Sequence, residues 1–219
     1  MEIKTALANS GNYTAGRTKD IKYIVVHYTA NNGDTAKGNC NYFATSGRNA
    51  SAHYFVDEND IYQSVADNNA AWSVGAASYV HSTCRNNNSL SVEMCSCKDA
   101  SGSYYIKDDT VSNAVGLAKS LMEKHNIPVE NVLRHYDVTG KNCPEPFVRD
   151  HAQWVAFKKR LEEEEMEKTA VKISVNGTAK TLEGFNVDGT NYVTVRALCE
   201  LLGVEVGYDS ATKTVVLSK

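Results

Sequence analysis

From Tyr23 to Leu161, short β-branched runs alternate with segments of helical period, and no other feature of the chain restricts its fold so tightly. Strands interleaved with helices in this way specify an α/β domain, a central mixed β-sheet flanked by helices. Tyr23-Ile24-Val25-Val26 reads as a buried strand that ends at His27. His53-Tyr54-Phe55-Val56, a polar turn over 57–60 and Ile61-Tyr62-Gln63-Ser64-Val65 read as a hairpin, and Leu90 to Cys95 as a further strand. Val111, Val115, Ala118, Leu121 and Met122 recur at helical spacing, in a helix expected to be capped by Asp109 or Thr110 and to close near Asn126-Ile127-Pro128. Asn131 to Arg134 gives a strand that ends at His135, and a last helix carries Trp154, Phe157 and Leu161 on one face.

The pattern changes after residue 161. Glu162 to Glu165, with Glu167, form an acidic run that reads as a solvated helix end rather than a cation site. Beyond it the chain is β-rich, with hairpin signals at Asn176-Gly177 and Asp188-Gly189 and a run Tyr192-Val193-Thr194-Val195. The expected organisation is a domain over 1–161, a linker over 162–169 and a small α+β module over 170–219. Basic and acidic residues number 23 and 26, a net charge of −3, which argues against nucleic-acid binding through a large basic patch. No apolar run approaches the roughly 18 residues that span a bilayer, so no membrane insertion is expected. Met1-Glu2-Ile3-Lys4 lacks the layout of a secretory signal peptide, so work outside the cytoplasm would need another exit route. The six cysteines are expected to be reduced, and most of them to be small core residues.

Two strands far apart in sequence each end in a histidine, and the crevice at the carboxyl ends of strands is where ligands collect in open α/β sheets. The densest chemical segment runs from Arg134-His135-Tyr136-Asp137 through Lys141-Asn142-Cys143-Pro144. Imidazole nitrogen and thiolate sulfur suit zinc, and His27 is the best third ligand for His135 and Cys143. Three protein ligands with one open position make a catalytic rather than a structural pattern. Taken singly, each residue has a plainer reading: a hydrogen-bonded structural histidine, or a buried thiol. Alternation along one strand puts Glu93, Cys95 and Cys97 on one face, with core packing the better reading of the two thiols.

Val26-His27-Tyr28-Thr29-Ala30, Ser51-Ala52-His53-Tyr54-Phe55-Val56, Ser91-Val92-Glu93 and His135 with Lys141-Asn142-Cys143-Pro144 follow one another in order. Together they resemble the zinc-dependent N-acetylmuramoyl-L-alanine amidases, a family that includes phage endolysins, amidases that recycle muropeptides and peptidoglycan recognition proteins. The phrase from Arg134 to Lys141 is most similar to prophage endolysins of Gram-positive hosts. The resemblance covers residues 18–160 and implies a bacteriolytic hydrolase of peptidoglycan, reaching the cell wall through a holin or after lysis. It implies Zn2+ on His27, His135 and Cys143, Glu93 as acid/base, Lys141 as oxyanion stabiliser and His53 as support beneath the site. One position departs: Ser73 in Ala71-Trp72-Ser73-Val74-Gly75 stands where the family often has a substrate-contacting histidine. Two alternatives stand beside the amidase: a peptidoglycan-binding protein without catalysis, and a thiol-dependent wall hydrolase using Cys143. Residues 170–219 resemble the amine-oxidase N-terminal-like, or stalk, module of Gram-positive surface proteins, which implies wall binding or a homodimer.

Overall fold

Ile24, Val25 and Val26 lie in the middle of a six-stranded sheet in the computed structural model, which describes residues 2–163, 168–187 and 189–218. Glu164, Glu165 and Glu167 of the acidic run, part of the expected linker, and Asp188 of the second turn signal lie outside the described residues. The chain divides into two compact units, Met1–Glu163 and Glu164–Lys219. In the first, the strands of this sheet are β1 (Lys4–Thr5), β2 (Tyr23–Tyr28), β3 (Tyr54–Val56), β4 (Ile61–Gln63), β5 (Ser89–Met94) and β6 (Val132–Arg134). Their order across the sheet is β1-β4-β3-β5-β2-β6. Every neighbouring pair is parallel except the hairpin β3–β4, so the sheet is mixed. Five helices accompany it: α1 (Ala36–Phe43), α2 (Asp108–His125), α3 (His135–Thr139), α4 (Glu145–Arg149) and α5 (His151–Glu162).

The two-residue period of the strands decides which face does what. Ile24, Val26, Leu90, Val92 and Met94 point to one side and pack with Leu117 and Leu121 of α2 and Trp154, Phe157 and Leu161 of α5. Each such large side chain, fully buried, contributes roughly 1.5–3 kcal/mol. Val25 points to the other side and packs with Val74, Cys84 and Val138, while Phe55 meets Ala36 and Cys40 of α1. This second face also carries His27 and Glu93.

Three local expectations are corrected. α2 begins at Asp108, with Lys107 as N-cap and no side-chain capping bond, so Asp109 and Thr110 lie inside the helix. Its first turn instead presents Asp108 and Asp109 to the positive end of the helix dipole, and Asn126 closes it in the left-handed region at φ 51°. β5 ends at Met94, and Cys95 still packs with Phe55 in the α1 cluster, on the face that carries Glu93. Cys97 departs from that face and belongs to a separate two-residue pairing opposite Tyr105. Asn131 ends a 3-10 turn, and the strand starts at Val132.

In the second unit β7 (Lys168–Val175), β8 (Thr178–Val187) and β9 (Thr190–Val193) form an antiparallel sheet. Asn176 and Gly177 both have positive φ, 50° and 78°, as a tight hairpin turn requires. Gly184 admits no side chain, because a Cβ there would lie 2.2 Å from the Tyr192 carbonyl oxygen. Thr194 caps α6 (Val195–Leu202) by accepting the Ala197 N–H, so the expected run over 192–195 ends as strand at Val193. β10 (Glu205–Asp209) and β11 (Thr214–Ser218) form a hairpin. Among the described residues, no helix is long and apolar enough to cross a membrane.

Candidate metal centre

Parallel pairing builds the site. Val26 of β2 stands opposite Arg134 of β6, so the next residues, His27 and His135, come level at the carboxyl edge of the sheet. On the other side of β2, Glu93 of β5 stands directly opposite His27. His135 opens α3, and Gly140, at φ 78°, closes it and turns the chain back. The Tyr136 N–H then donates to the Cys143 carbonyl at 2.8 Å, which returns Cys143 to the start of the helix.

The three side chains converge. The His27 and His135 rings have centroids 4.6 Å apart, and Cys143 Sγ lies 3.8 Å from His27 Nδ1. One donor atom from each of His27, His135 and Cys143 lies within 4.8 Å of the other two, and all three residues are buried. Glu93 Oε1 is 3.8 Å from His27 Nδ1.

Burial dominates the electrostatics here. It holds His27 well below the usual histidine range, helped by the charges of His135, Lys141 and His53, and it lowers His135 to about 4, with Lys141 acting in the same direction. It pushes the Cys143 thiol up to about 12, with Glu93 adding to the effect and the Tyr28 backbone N–H and Lys141 opposing it. Glu93 is raised to about 8 by burial, while Lys141 draws it down. Lys141 is itself exposed, and its charge reaches all four groups.

His27 Nε2, His135 Nδ1 and Glu93 Oε2 are buried without a hydrogen-bond partner. An orphaned buried polar atom costs about 1–3 kcal/mol, so three in one place need a reason. Two neutral imidazoles and a thiol that loses its proton to a cation are the donor set of a borderline-soft metal. The residues fit zinc.

Two other residues singled out by the sequence, His53 and Ser73, take no part in the donor cluster. His53 is not among the donors: its Nδ1 is 3.0 Å from Ser91 Oγ, and Arg17 Nη2 approaches its Nε2 at 2.6 Å. Ser73 Oγ is buried without a partner, and the Ser73 N–H donates to Asn86 Oδ1. Beside Glu93 opens a cavity of about 530 Å³, lined among others by Asn31, Asp34, Asn39, Tyr42 and Phe55. Apart from Phe55, no pattern in the sequence marks these residues, or α1, as part of a site. The one signal present was Thr35, whose Oγ1 accepts the Gly38 N–H as an N-cap. Arg134 and Asp137 stand in the His135–Cys143 motif with no role that the sequence alone assigns.

Residues 17–146 match the N-acetylmuramoyl-L-alanine amidase family. The chain is similar to N-acetylmuramoyl-L-alanine amidase CwlL of Bacillus licheniformis, at 36% identity over 151 residues, which is 65% of this chain and 41% of that protein. It is also similar to N-acetylmuramoyl-L-alanine amidase BlyA of Bacillus subtilis, at 32% over 175 residues, 72% of this chain and 46% of that protein. The chain thus spans less than half the length of these curated relatives. Among solved structures, it resembles the catalytic domain of XlyA with TM-score 0.61 at 30% identity, covering 74% of this chain and 99% of that one. PlyL gives TM-score 0.62 at 31% identity, covering 74% and 97%.

Proposed function

Because the chain belongs to the N-acetylmuramoyl-L-alanine amidase family, we propose that its first unit hydrolyses the amide between N-acetylmuramic acid and L-alanine in peptidoglycan, with zinc held by His27, His135 and Cys143. The observation that carries this reading is the convergence of those three donors beside the Glu93 carboxyl. Three protein donors leave a coordination position open for chemistry. When bound, zinc supplies Lewis acidity, polarising the amide carbonyl and making water acidic enough to attack near neutral pH.

The other steps belong to the chain's own residues. Burial keeps His27 and His135 neutral, the state in which imidazole ligates. The Tyr28 N–H and Lys141 favour the Cys143 thiolate against the burial that opposes it. Lys141 and a cation held at the three donors would favour the ionised form of Glu93 against the burial that raises it, and the carboxylate would take the proton of the attacking water and deliver it to the L-alanine nitrogen as the C–N bond breaks. Lys141 supplies a positive charge to the oxyanion that develops on the carbonyl oxygen. A thiol nucleophile would need a depressed pKa, and burial drives Cys143 the other way.

Residues 1–161 are the proposed catalytic domain, acting on the wall after release from the cell. Residues 170–219 are proposed as an accessory, stalk-like module that contacts the wall. The exposed Leu198, Leu202, Val216 and Leu217 favour pairing of two copies as its competing role.

Chelation and reconstitution test the catalytic reading. Stripped protein is expected to stop lysing purified walls, to recover with one zinc per chain, and to resist thiol alkylation while loaded. Lysis that survives stripping, or that alkylation abolishes in the loaded protein, overturns it.

A further inference from the structure

We propose that Arg134 and Asp137 form a positioning pair that fixes His135 and Cys143 relative to each other; this rests on the zinc reading above. The two ligands come from one stretch of nine residues, and a loop of that length does not hold two side chains in register unaided. The Tyr136 N–H to Cys143 carbonyl bond, at 2.8 Å, ties its two ends together. Arg134 and Asp137 supply a second tie behind it.

Asp137 grips the residue immediately before His135 three times. Its Oδ2 accepts the Arg134 backbone N–H at 2.8 Å and Nε at 3.1 Å, and its Oδ1 accepts Nη2 at 2.7 Å. The guanidinium's remaining nitrogen, Nη1, donates to the Phe147 carbonyl at 3.0 Å. Phe147 belongs to α4, which starts two residues after Cys143. One planar group thus links the strand end that delivers His135 to the helix that follows Cys143. The guanidinium also lies over the Trp154 and Tyr136 rings, 5.5 and 5.2 Å from their centroids.

None of the hydrogen bonds of either side chain goes to His27, His135, Cys143 or Glu93, so the pair acts through position. Arg134 is only 8% exposed. A buried ion pair is weak evidence of stabilisation, because apolar side chains of similar volume often serve stability as well or better. What apolar residues do not supply is a fork that meets a carboxylate with two of its nitrogens and a carbonyl on a second element with the third. Lysine, a point charge, does not supply it either.

The test measures zinc affinity, by competition with a chromophoric chelator, and the visible absorption of the cobalt-substituted protein, which reports ligand geometry. Arg134→Lys and Asp137→Asn are compared with wild type and with Asp67→Asn. The last breaks another largely buried carboxylate network, in which Asp67 Oδ2 accepts from Lys124 at 2.8 Å and His125 at 2.9 Å. Arg134→Lys and Asp137→Asn are expected to weaken zinc about 10- to 100-fold and to shift the cobalt bands, as loss of groups that orient ligands does. Asp67→Asn is expected to match wild type in both. If Arg134→Lys fails to fold, Asp137→Asn preserves side-chain shape and carries the test alone. Wild-type zinc affinity and cobalt bands in folded Asp137→Asn overturn the proposal, and so does an equal loss in Asp67→Asn, which would mark general destabilisation. A wild-type protein that binds no zinc removes the zinc reading and the proposal with it; failure of the positioning role alone leaves wild-type binding intact.

Discussion

Acidification tests the proposed supporting role of His53. This histidine is 1% exposed and sits just before β3. Arg17 Nη2 lies 2.6 Å from its Nε2, and the Ser91 backbone N–H donates to its Nδ1 at 3.0 Å. A second proton would set two N–H donors face to face and place an imidazolium against a guanidinium. Burial first, and then the Arg17 charge, lower this group from 6.5 to about 3. For a base, a depressed folded pKa means that protons prefer the unfolded chain. The stability it contributes is complete above pH 6.5 and is lost as pH falls toward 3. At about pH 4.5 the loss is two units below 6.5, or about 2.7 kcal/mol at 1.36 kcal/mol per unit. That is a large part of the 5–15 kcal/mol that typically separates folded from unfolded states. The assay is urea unfolding of metal-free protein at about pH 7.5 and 4.5, for wild type and His53→Gln. His27 and His135 are also lowered and give both proteins a common acid slope. The variant is expected to be less stable at the higher pH, having lost its hydrogen bonds, yet to lose about 2.7 kcal/mol less than wild type on acidification. Parallel losses in the two proteins would refute the reasoning.

Glu93→Gln keeps side-chain volume but cannot carry the proton, so it is expected to retain one zinc per chain and lose roughly 10² to 10⁴ in turnover; metal analysis beside wall-lysis rates checks both. Cys143→Ser is expected to lose most zinc and activity together, read by the same two measurements, and lysis at wild-type rate would remove Cys143 from the ligand set. A chain ending at residue 163 is expected to fold alone and cleave soluble muramyl peptides at full rate, but to act more slowly on whole sacculi, where a second wall contact raises effective concentration. Equal rates on sacculi would leave the second unit as a spacer or dimer element.

The parts of this molecule that were legible in its sequence are those governed by period and by chemistry. The alternation of β2, β5 and β6 with α2 and α5 follows from where Ile24, Val26, Leu90, Leu121, Trp154 and Phe157 fall, because burial acts on each of them strongly. The histidines could be located at strand ends because an apolar run stops at each. α1 was not legible: Gly38, Asn39 and Asn41 are poor helix formers, and only Ala36 and Cys40 are buried. It forms because Thr35 caps it and the Asp57 carboxylate accepts the Ala36 N–H at 2.8 Å, a contact across 21 residues that no local pattern announces. Arg134 and Asp137 stood inside the most informative motif, yet the Phe147 carbonyl that gives Arg134 its task is a matter of tertiary geometry. The departure of Cys97 is of the same kind: Asp34 Oδ1 accepts the Ser96 N–H at 3.2 Å and Asn32 Oδ1 accepts the Lys98 N–H at 2.8 Å, contacts between residues 62 and 66 apart in sequence.

Digestion of purified cell walls by the zinc-loaded protein, with mass spectrometry of the new chain ends, addresses the central claim directly. Hydrolysis by a carboxylate-assisted zinc site of this family produces free muramic lactyl carboxylate and free L-alanine amine, in equal amounts and only while metal is present. New reducing sugars, new ends within the stem peptide, or the same amide ends from metal-stripped protein would contradict it.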